Sequence, residues 1–401
     1  MRILIIASLF RPYSRGGAEV VVGTIVNELK KKHDVSVLTV EPWGGVSSWK
    51  WKTSKEDGIT VNRFAPLNIF SFIHINAYPC VLRLVWHFFD TFNIHSYVLI
   101  RRILTREKPD CILTHNLKGI GLLTPHAIKK SKTFWLHTAH DVALRVPSGL
   151  LMYGKERQQW FFNTLATGIH RFLFGSPDVV LFPSTFLKNF YYQYGFFSQS
   201  KKVVLSNPLP HWFLGRRHEN SMDETRPFLF VGQLEEHKGI RLLLRSFQNL
   251  NDQNARLVIV GGGSLESFVR DAMKTDLRIM YRGTIPNREV AQELGRAYFS
   301  VLPTLCYENS PMIILESLSC GTPCIVSNIG GCAEHIRESV SGFIVPPNDM
   351  SALTDAFRKA LALTDMDYDE CSNAARKTIQ RLFTCDYFST LEEIIKSKKR
   401  A

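Results

Sequence analysis

Two successive series of short apolar, β-rich runs alternate with amphipathic stretches along almost the whole chain. That alternation constrains the fold more than any other feature, because strand–helix repeats pack as parallel sheets covered by helices. The first series predicts strands at Ile3–Ala7, Val35–Val40, Ile59–Phe64, Asp110–Thr114, Thr133–His137 and Val179–Phe182. The second begins afresh at Pro227–Val231 and continues with Arg256–Val260, Arg278–Tyr281, Tyr298–Leu302, Pro323–Ser327 and Gly342–Val345. Between them, 207–226 carries Pro208, Pro210, Gly215 and a run of charged and polar residues, the composition of a linker. At 401 residues the chain is too long for one ordinary core. The expected fold class is α/β, with two doubly wound, Rossmann-like parallel-sheet domains. Ligands in such domains bind beyond the carboxyl ends of the strands. Two crevices facing each other across a cleft would enclose one substrate pair.

Composition narrows the function. A hydrophobic content of 45% and a mean hydropathy of −0.05 describe a globular protein. No run reaches the roughly 20 uninterrupted apolar residues of a membrane span, and Met1–Phe10 reads as a first buried strand rather than a signal peptide. The net charge of +13 predicts an anionic partner such as a nucleotide or phospholipid. The bases are spread out and no nucleic-acid-binding signature accompanies them, so nucleic acid is not expected. Eight cysteines form no regular framework. Cys306, Cys320, Cys324 and Cys332 lack the paired spacing of zinc sites and read as small buried thiols of a cytoplasmic protein.

The stretch Glu308-Asn309-Ser310-Pro311-Met312-Ile313-Ile314-Leu315-Glu316 has a carboxylate in a turn, a helix start, and a second carboxylate inside that helix. Ser310 is expected to cap the helix, with Pro311 at its first position. The free amides of the first turn, Met312 and Ile313 among them, make an anion seat at the positive end of the helix dipole. Ile314, Leu315 and Leu318 share one apolar face, opposite Glu316. A phosphate seat between two carboxylates suits a sugar nucleotide. Glycine turns follow the first strand of each series or its neighbour: Gly16-Gly17 opens a helix, and Gly261-Gly262-Gly263 follows Val260. Glu266 takes the place of the third glycine of a dinucleotide fingerprint, which disfavours a nicotinamide cofactor. Lys238, near the end of the first strand of the second series, is placed to neutralise phosphate. Asp365-Met366-Asp367 falls in a polar turn between helices, not on a loop after a strand, so it is not read as a metal site.

In order and spacing these elements resemble glycosyltransferase family 4, the retaining enzymes of the GT-B fold. The resemblance is strongest from Phe228 to Pro347. It rests on Val231-Gly232-Gln233-Leu234 with Lys238-Gly239, Gly261–Gly263, Gly283, and Glu308 with Glu316. Gly321-Thr322-Pro323, Gly330-Gly331 with Glu334, and Gly342-Phe343 add to it. In the first half, Gly16-Gly17 and His140-Asp141 match less densely. The resemblance implies an acceptor domain at 1–207, a donor domain at 208–379, and a last helix within 380–401 that crosses back to the first. It also implies donor binding by Gly16, Gly17, Gln233, Lys238, Gly263, Ser310, Pro311, Met312, Ile313 and Glu316. Glu316 would hold the nucleotide ribose, Glu308 a hydroxyl of the donor sugar, and His140 would contact the sugar near the reacting carbon. His140 and Glu308 are the implied catalytic residues. The co-substrate would be a UDP- or GDP-linked sugar, with no cofactor and no obligatory metal. Gln233 stands where family members commonly carry arginine, which would shift phosphate neutralisation onto Lys238, with help from Arg241.

Two alternatives come from the same residues. Glu308 and Glu316 are paired carboxylates, so a retaining glycosidase is one; such enzymes need theirs about 5–5.5 Å apart. A sugar-nucleotide-binding scaffold without turnover, motivated by Gln233, is the other. The acceptor is read as a saccharide or lipid-linked saccharide in envelope polysaccharide synthesis. The loop Trp43–Lys55 mixes Trp43, Trp49 and Trp51 with Lys50, Lys52 and Lys55, a mixture that suits an anionic membrane interface and equally a sugar-stacking surface or a packed loop. A peripheral enzyme at the inner face of the cell membrane is the expectation. The helical stripe Leu82, Val85, Phe89, Phe92, Leu99 and Ile103, with Ser96 its only polar member, reads as core rather than as a lipid groove.

Overall fold

In the computed structural model, residues 1–14, 16–156, 160–210, 213, 225–384 and 387–397 are described. Most of the expected linker, at 211–212 and 214–224, therefore lies outside the described residues. The chain divides into two compact units. Unit 1 comprises 1–150, 157–208 and 387–401; unit 2 comprises 151–156 and 209–386.

Unit 1 is built on eight strands: β1 Arg2–Ile6, β2 Asp34–Val40, β3 Lys52–Glu56, β4 Ile59–Phe64, β5 Cys111–Thr114, β6 Phe134–Thr138, β7 Val179–Phe182 and β8 Lys201–Val204. They lie in the order β3-β4-β2-β1-β5-β6-β7-β8. All neighbours are parallel except β3 and β4, where Lys52 pairs with Arg63 and Glu56 with Ile59. The six predicted strands are all present within two residues at either end. β8 was missed because only four residues of half-polar sequence form it, on the edge of the sheet. β3 was missed because its exposed Lys-Thr-Ser-Lys-Glu sequence carries no apolar face to detect. The central strands are buried on both sides, as Leu4, Ile5, Ile6, Ile112, Leu136 and Val180 show. The last helix, Tyr387–Ser397, belongs to this unit, and its Glu392 carboxylate bonds His33 Nε2 at 2.6 Å.

Unit 2 holds six parallel strands: β9 Arg226–Val231, β10 Ala255–Val260, β11 Ile279–Gly283, β12 Phe299–Leu302, β13 Cys324–Ser327 and β14 Gly342–Val345. Their order is β11-β10-β9-β12-β13-β14. This is the doubly wound pattern, with the chain reversing direction across the sheet between β9 and β12. Helices Ile240–Gln248 and Met350–Leu361 cover one face, where Phe228, Phe247, Phe299 and Phe357 make a core of edge-on and tilted rings. Helices Asn287–Arg296, Met312–Cys320 and Asp365–Thr384 carry buried residues of the remaining clusters. The aspartates of Asp365-Met366-Asp367 lie in the first turn of that last helix, and Asp367 accepts from the Thr364 hydroxyl at 2.6 Å. They close a helix start.

Candidate active site

The doubly wound order directs attention to the carboxyl ends of β9 and β12, and the loops there are stitched backbone to backbone. Leu234 N–H donates to Gly262 O at 3.0 Å, and Leu265 N–H to Leu234 O at 2.9 Å. Gly261 has φ +136°, and a Cβ on it would lie 1.9 Å from the Gly232 carbonyl oxygen. Only glycine lets these two turns touch. From the β12 side, Leu305 N–H donates to His237 O at 2.8 Å and the Thr304 hydroxyl to the same oxygen at 3.0 Å. Gly331 N–H donates to Glu308 O at 2.7 Å, so the Gly330-Gly331 turn fixes the backbone that carries Glu308.

On this scaffold Lys238 and Glu308 meet. Lys238 closes the short turn Glu236–Lys238 after β9, and its ammonium donates to Glu308 Oε1 in an ion pair. Burial works against the ammonium, but the adjacent carboxylate outweighs it and holds the Lys238 pKa above the ordinary lysine value. Residues 70 positions apart are thus brought together by the β9–β12 neighbourhood. Thr304 Oγ1 lies 3.5 Å and Cys306 Sγ 3.6 Å from the same carboxylate oxygen. Burial pushes the Cys306 thiol up to about 12, so it stays protonated beside Glu308. Sequence reasoning missed Thr304 as a member of the site; its place just beyond the end of β12 was the available signal.

The helix after Glu308 runs from Met312 to Cys320, with Pro311 in the cap position. Ser310 does not cap it, contrary to expectation: its hydroxyl oxygen is buried without a hydrogen-bond partner. Pro311 is extended, with ψ 120°, so helical geometry begins one residue later and Ser310 falls one position short. Met312 and Ile313 head the helix, where amides lack intrahelical acceptors. Ile314, Leu315 and Leu318 are buried, and half-buried Glu316 stands off that face. Burial pushes its carboxyl up to about 7. Gln233 is exposed. Gly263 packs against Leu234, to whose oxygen an added Cβ would approach within 2.6 Å. Arg241, expected to support Lys238, is held elsewhere: it pairs with Glu236 at 2.6 Å and lies 4.2 Å over the Phe268 ring.

In unit 1, helix Gly17–Leu29 follows β1, and Gly16 is its extended cap. The Gly16 amide donates to Glu19 Oε2 at 2.7 Å, so a carboxylate of the same turn already sits at that anion seat. His140 lies just beyond β6, and its Nε2 bonds His115 Nδ1 at 2.8 Å. Both help line a cavity of about 50 Å³ together with His87, Asp90, Lys118 and His170. Burial lowers the His140 pKa to about 4 and that of neighbouring His137 to about 3. Burial also lowers Lys118 and raises Asp90 to about 7, the latter against two contacts from the Gly119 amide. Of this cluster the sequence singled out only His140 and Asp141. His140 was singled out only through the family resemblance; His115 directly follows β5, a position at a strand's carboxyl end that could have flagged it.

Two family models match. "Glycosyltransferase Family 4" covers residues 15–211, and "Glycosyl transferases group 1" covers 215–378. Together they place the chain in the superfamily of family 4 and group 1 glycosyltransferases. It is a glycosyltransferase that uses a nucleotide-sugar donor, and its fold is GT-B. A 42.6 kDa protein in the cps region of Klebsiella pneumoniae is 23% identical over 342 residues, 84% of this chain and 88% of that one. The O-antigen chain mannosyltransferase C of Escherichia coli is 31% identical over 170 residues, 40% of this chain and 43% of its own. Among solved structures, the sucrose-phosphate synthase of Thermosynechococcus elongatus superposes with a TM-score of 0.76 over 100% of both chains, at 16% identity. The Anabaena protein HepE, solved with UDP, gives 0.71 over 100% of both chains, at 14% identity. Among the described residues, no group of three His, Cys, Asp or Glu side chains is placed to hold a metal.

Proposed function

We propose that this glycosyltransferase binds its sugar nucleotide in unit 2, at the carboxyl ends of β9 and β12, and builds an envelope or extracellular polysaccharide. The Lys238–Glu308 ion pair, set beside the start of helix Met312–Cys320, carries the donor reading. A diphosphate entering there would draw Lys238 from Glu308 and meet the amides of Met312 and Ile313. The freed carboxylate would take a hydroxyl of the donor sugar. Glu316 would receive the ribose, with Gln233, Gly263, Ser310 and Pro311 around the nucleotide. As the anomeric bond breaks, charge develops on the leaving diphosphate; a lysine and fixed amides suit its stabilisation without a metal. Retention by a front-face route, in which the departing phosphate takes the acceptor proton, follows the family resemblance.

Unit 1 takes the acceptor, with His140 presenting a neutral imidazole in its cavity. A saccharide or lipid-linked saccharide fits the names of two relatives, the O-antigen chain mannosyltransferase and a galactosyltransferase acting on a diphosphoundecaprenol-linked sugar. A lipid-linked acceptor would place the enzyme at the cytoplasmic face of a membrane, in peripheral contact with anionic lipid. No described helix is long and apolar enough to cross one.

Thermal shift with UDP-, GDP- and ADP-sugars tests the donor reading, since a ligand at 100 times its Kd adds about 2.7 kcal/mol. Lys238→Ala removes a charged hydrogen bond of about 1.5–3 kcal/mol, so donor affinity is expected to fall about 10- to 150-fold. Wild-type affinity in that variant would refute the site. Sugar transfer or donor hydrolysis by the purified protein separates the enzyme from a scaffold lacking turnover.

A further inference from the structure

Helix Cys80–Thr91 is inside out. Its inward positions Arg83, Trp86, His87 and Asp90 recur at helical spacing and are buried or half-buried. Asp90 is 5% exposed and takes the Gly119 amide, and Trp86 Nε1 donates to Phe70 O at 2.8 Å. The opposite positions Val81, Leu84, Val85, Phe88 and, just past the helix, Phe92 carry no polar group, and all are exposed, Leu84 by 65% and Phe88 by 62%. A surface helix of a water-soluble domain shows the reverse arrangement. The stripe that reads as core in the sequence is thus corrected in part. Leu99 and Ile103 are buried, whereas Leu82, Val85, Phe89 and Phe92 are not, because the polar side of the helix is the one packed against unit 1.

We infer that this helix seats the protein on a membrane, its apolar face among the acyl chains of an anionic lipid surface. Charge selects the occupant. Between Gly58 and Arg106 the only acid is Asp90, which is buried, while Arg101 and Arg102 on the following helix are exposed. A second copy docking through the same face would set like charges against each other, whereas anionic headgroups complement them. At 12 residues the helix is too short to span a bilayer, which takes roughly 20, and a flat seat at the interface is the geometry left to it. The tryptophan loop fits the role less well. Trp43 is exposed, but Trp51 lies under Arg106 at 5.2 Å, the Trp49 carbonyl is bonded to His95, and Lys52–Glu56 is an edge strand of the sheet.

The inference rests on the proposed peripheral contact with anionic membrane and assigns it to one face. The test is flotation of the full chain with vesicles of phosphatidylglycerol and phosphatidylethanolamine, and with phosphatidylcholine alone. Wild type is expected to float with the anionic vesicles. Leu84→Glu/Phe88→Glu, at exposed positions, is expected to lose at least tenfold in partitioning while keeping its sugar-nucleotide thermal shift. Trp43→Ala is expected to change it less than twofold. Wild-type flotation by the double variant overturns the helix assignment alone. Failure of wild type to float overturns the membrane contact with it, as does a wild-type dimer in solution that the double variant dissolves.

Discussion

The two units share one strand logic but build their candidate sites from different material. In unit 2 the strand ends are welded by backbone: turns touch through glycine, amides bond carbonyls of neighbouring loops, and one ion pair stands on that frame. In unit 1 the cavity is made of side chains. His87, His115, His140 and His170 come from four separate stretches of chain and are held neutral chiefly by burial. A backbone-built site writes its requirements into the sequence as glycines at fixed spacing. One built from side chains leaves scattered histidines that mean nothing until the fold gathers them.

That contrast can be broken experimentally. The largest effect is expected at Gly261. Gly261→Ala drives a methyl group into the Gly232 carbonyl and should cost about 4 kcal/mol or more in urea unfolding. Gly58 in unit 1, at φ +81° with nothing within 4 Å of an added Cβ, should cost only about 1–2 kcal/mol on the same change. Equal losses would mean that unit 2 is not glycine-welded in the sense described.

Next comes pH. The Glu316 carboxyl has a folded pKa of about 7 against 4.5 in the open chain, so the folded state holds its proton more tightly. Stability is therefore lost as pH rises from about 4.5 to 7. Glu316→Gln removes that loss, and its advantage over wild type should be greater near pH 8 than near pH 5, by up to about 3 kcal/mol. A pH-independent difference would show that Glu316 is solvated after all.

The smallest effect sharpens the unit 1 side. With a pKa near 4, His140 should show a flat imidazole resonance between about pH 6 and 8. A midpoint near 6.5 would show that the cavity admits water and charge.

Legibility followed the same division. All twelve predicted strands exist, because buried parallel strands are continuous apolar runs in any context. Lys238 is proposed from its place after the first strand of the second series, and Glu308 and Glu316 from the helix start between them; the fold brings Lys238 and Glu308 together, while the hydroxyl of Ser310 does not cap that helix. Reading failed where outcome depended on packing partners. The stripe through Leu82 and Phe89 has helical periodicity whether it faces core, lipid or water, and Lys52–Glu56 becomes a strand only because β4 offers it an edge.

The sequence by itself determined the two α/β series, their glycine turns and the residue types that suit a sugar nucleotide, since backbone conformation and burial act locally. Tertiary structure alone decided that Lys238 is already paired to Glu308, that His87, His115, His140 and His170 line one cavity, and that a helix turns its apolar side outward. Each of these depends on which surfaces meet, and periodicity along a chain carries no record of the surface opposite.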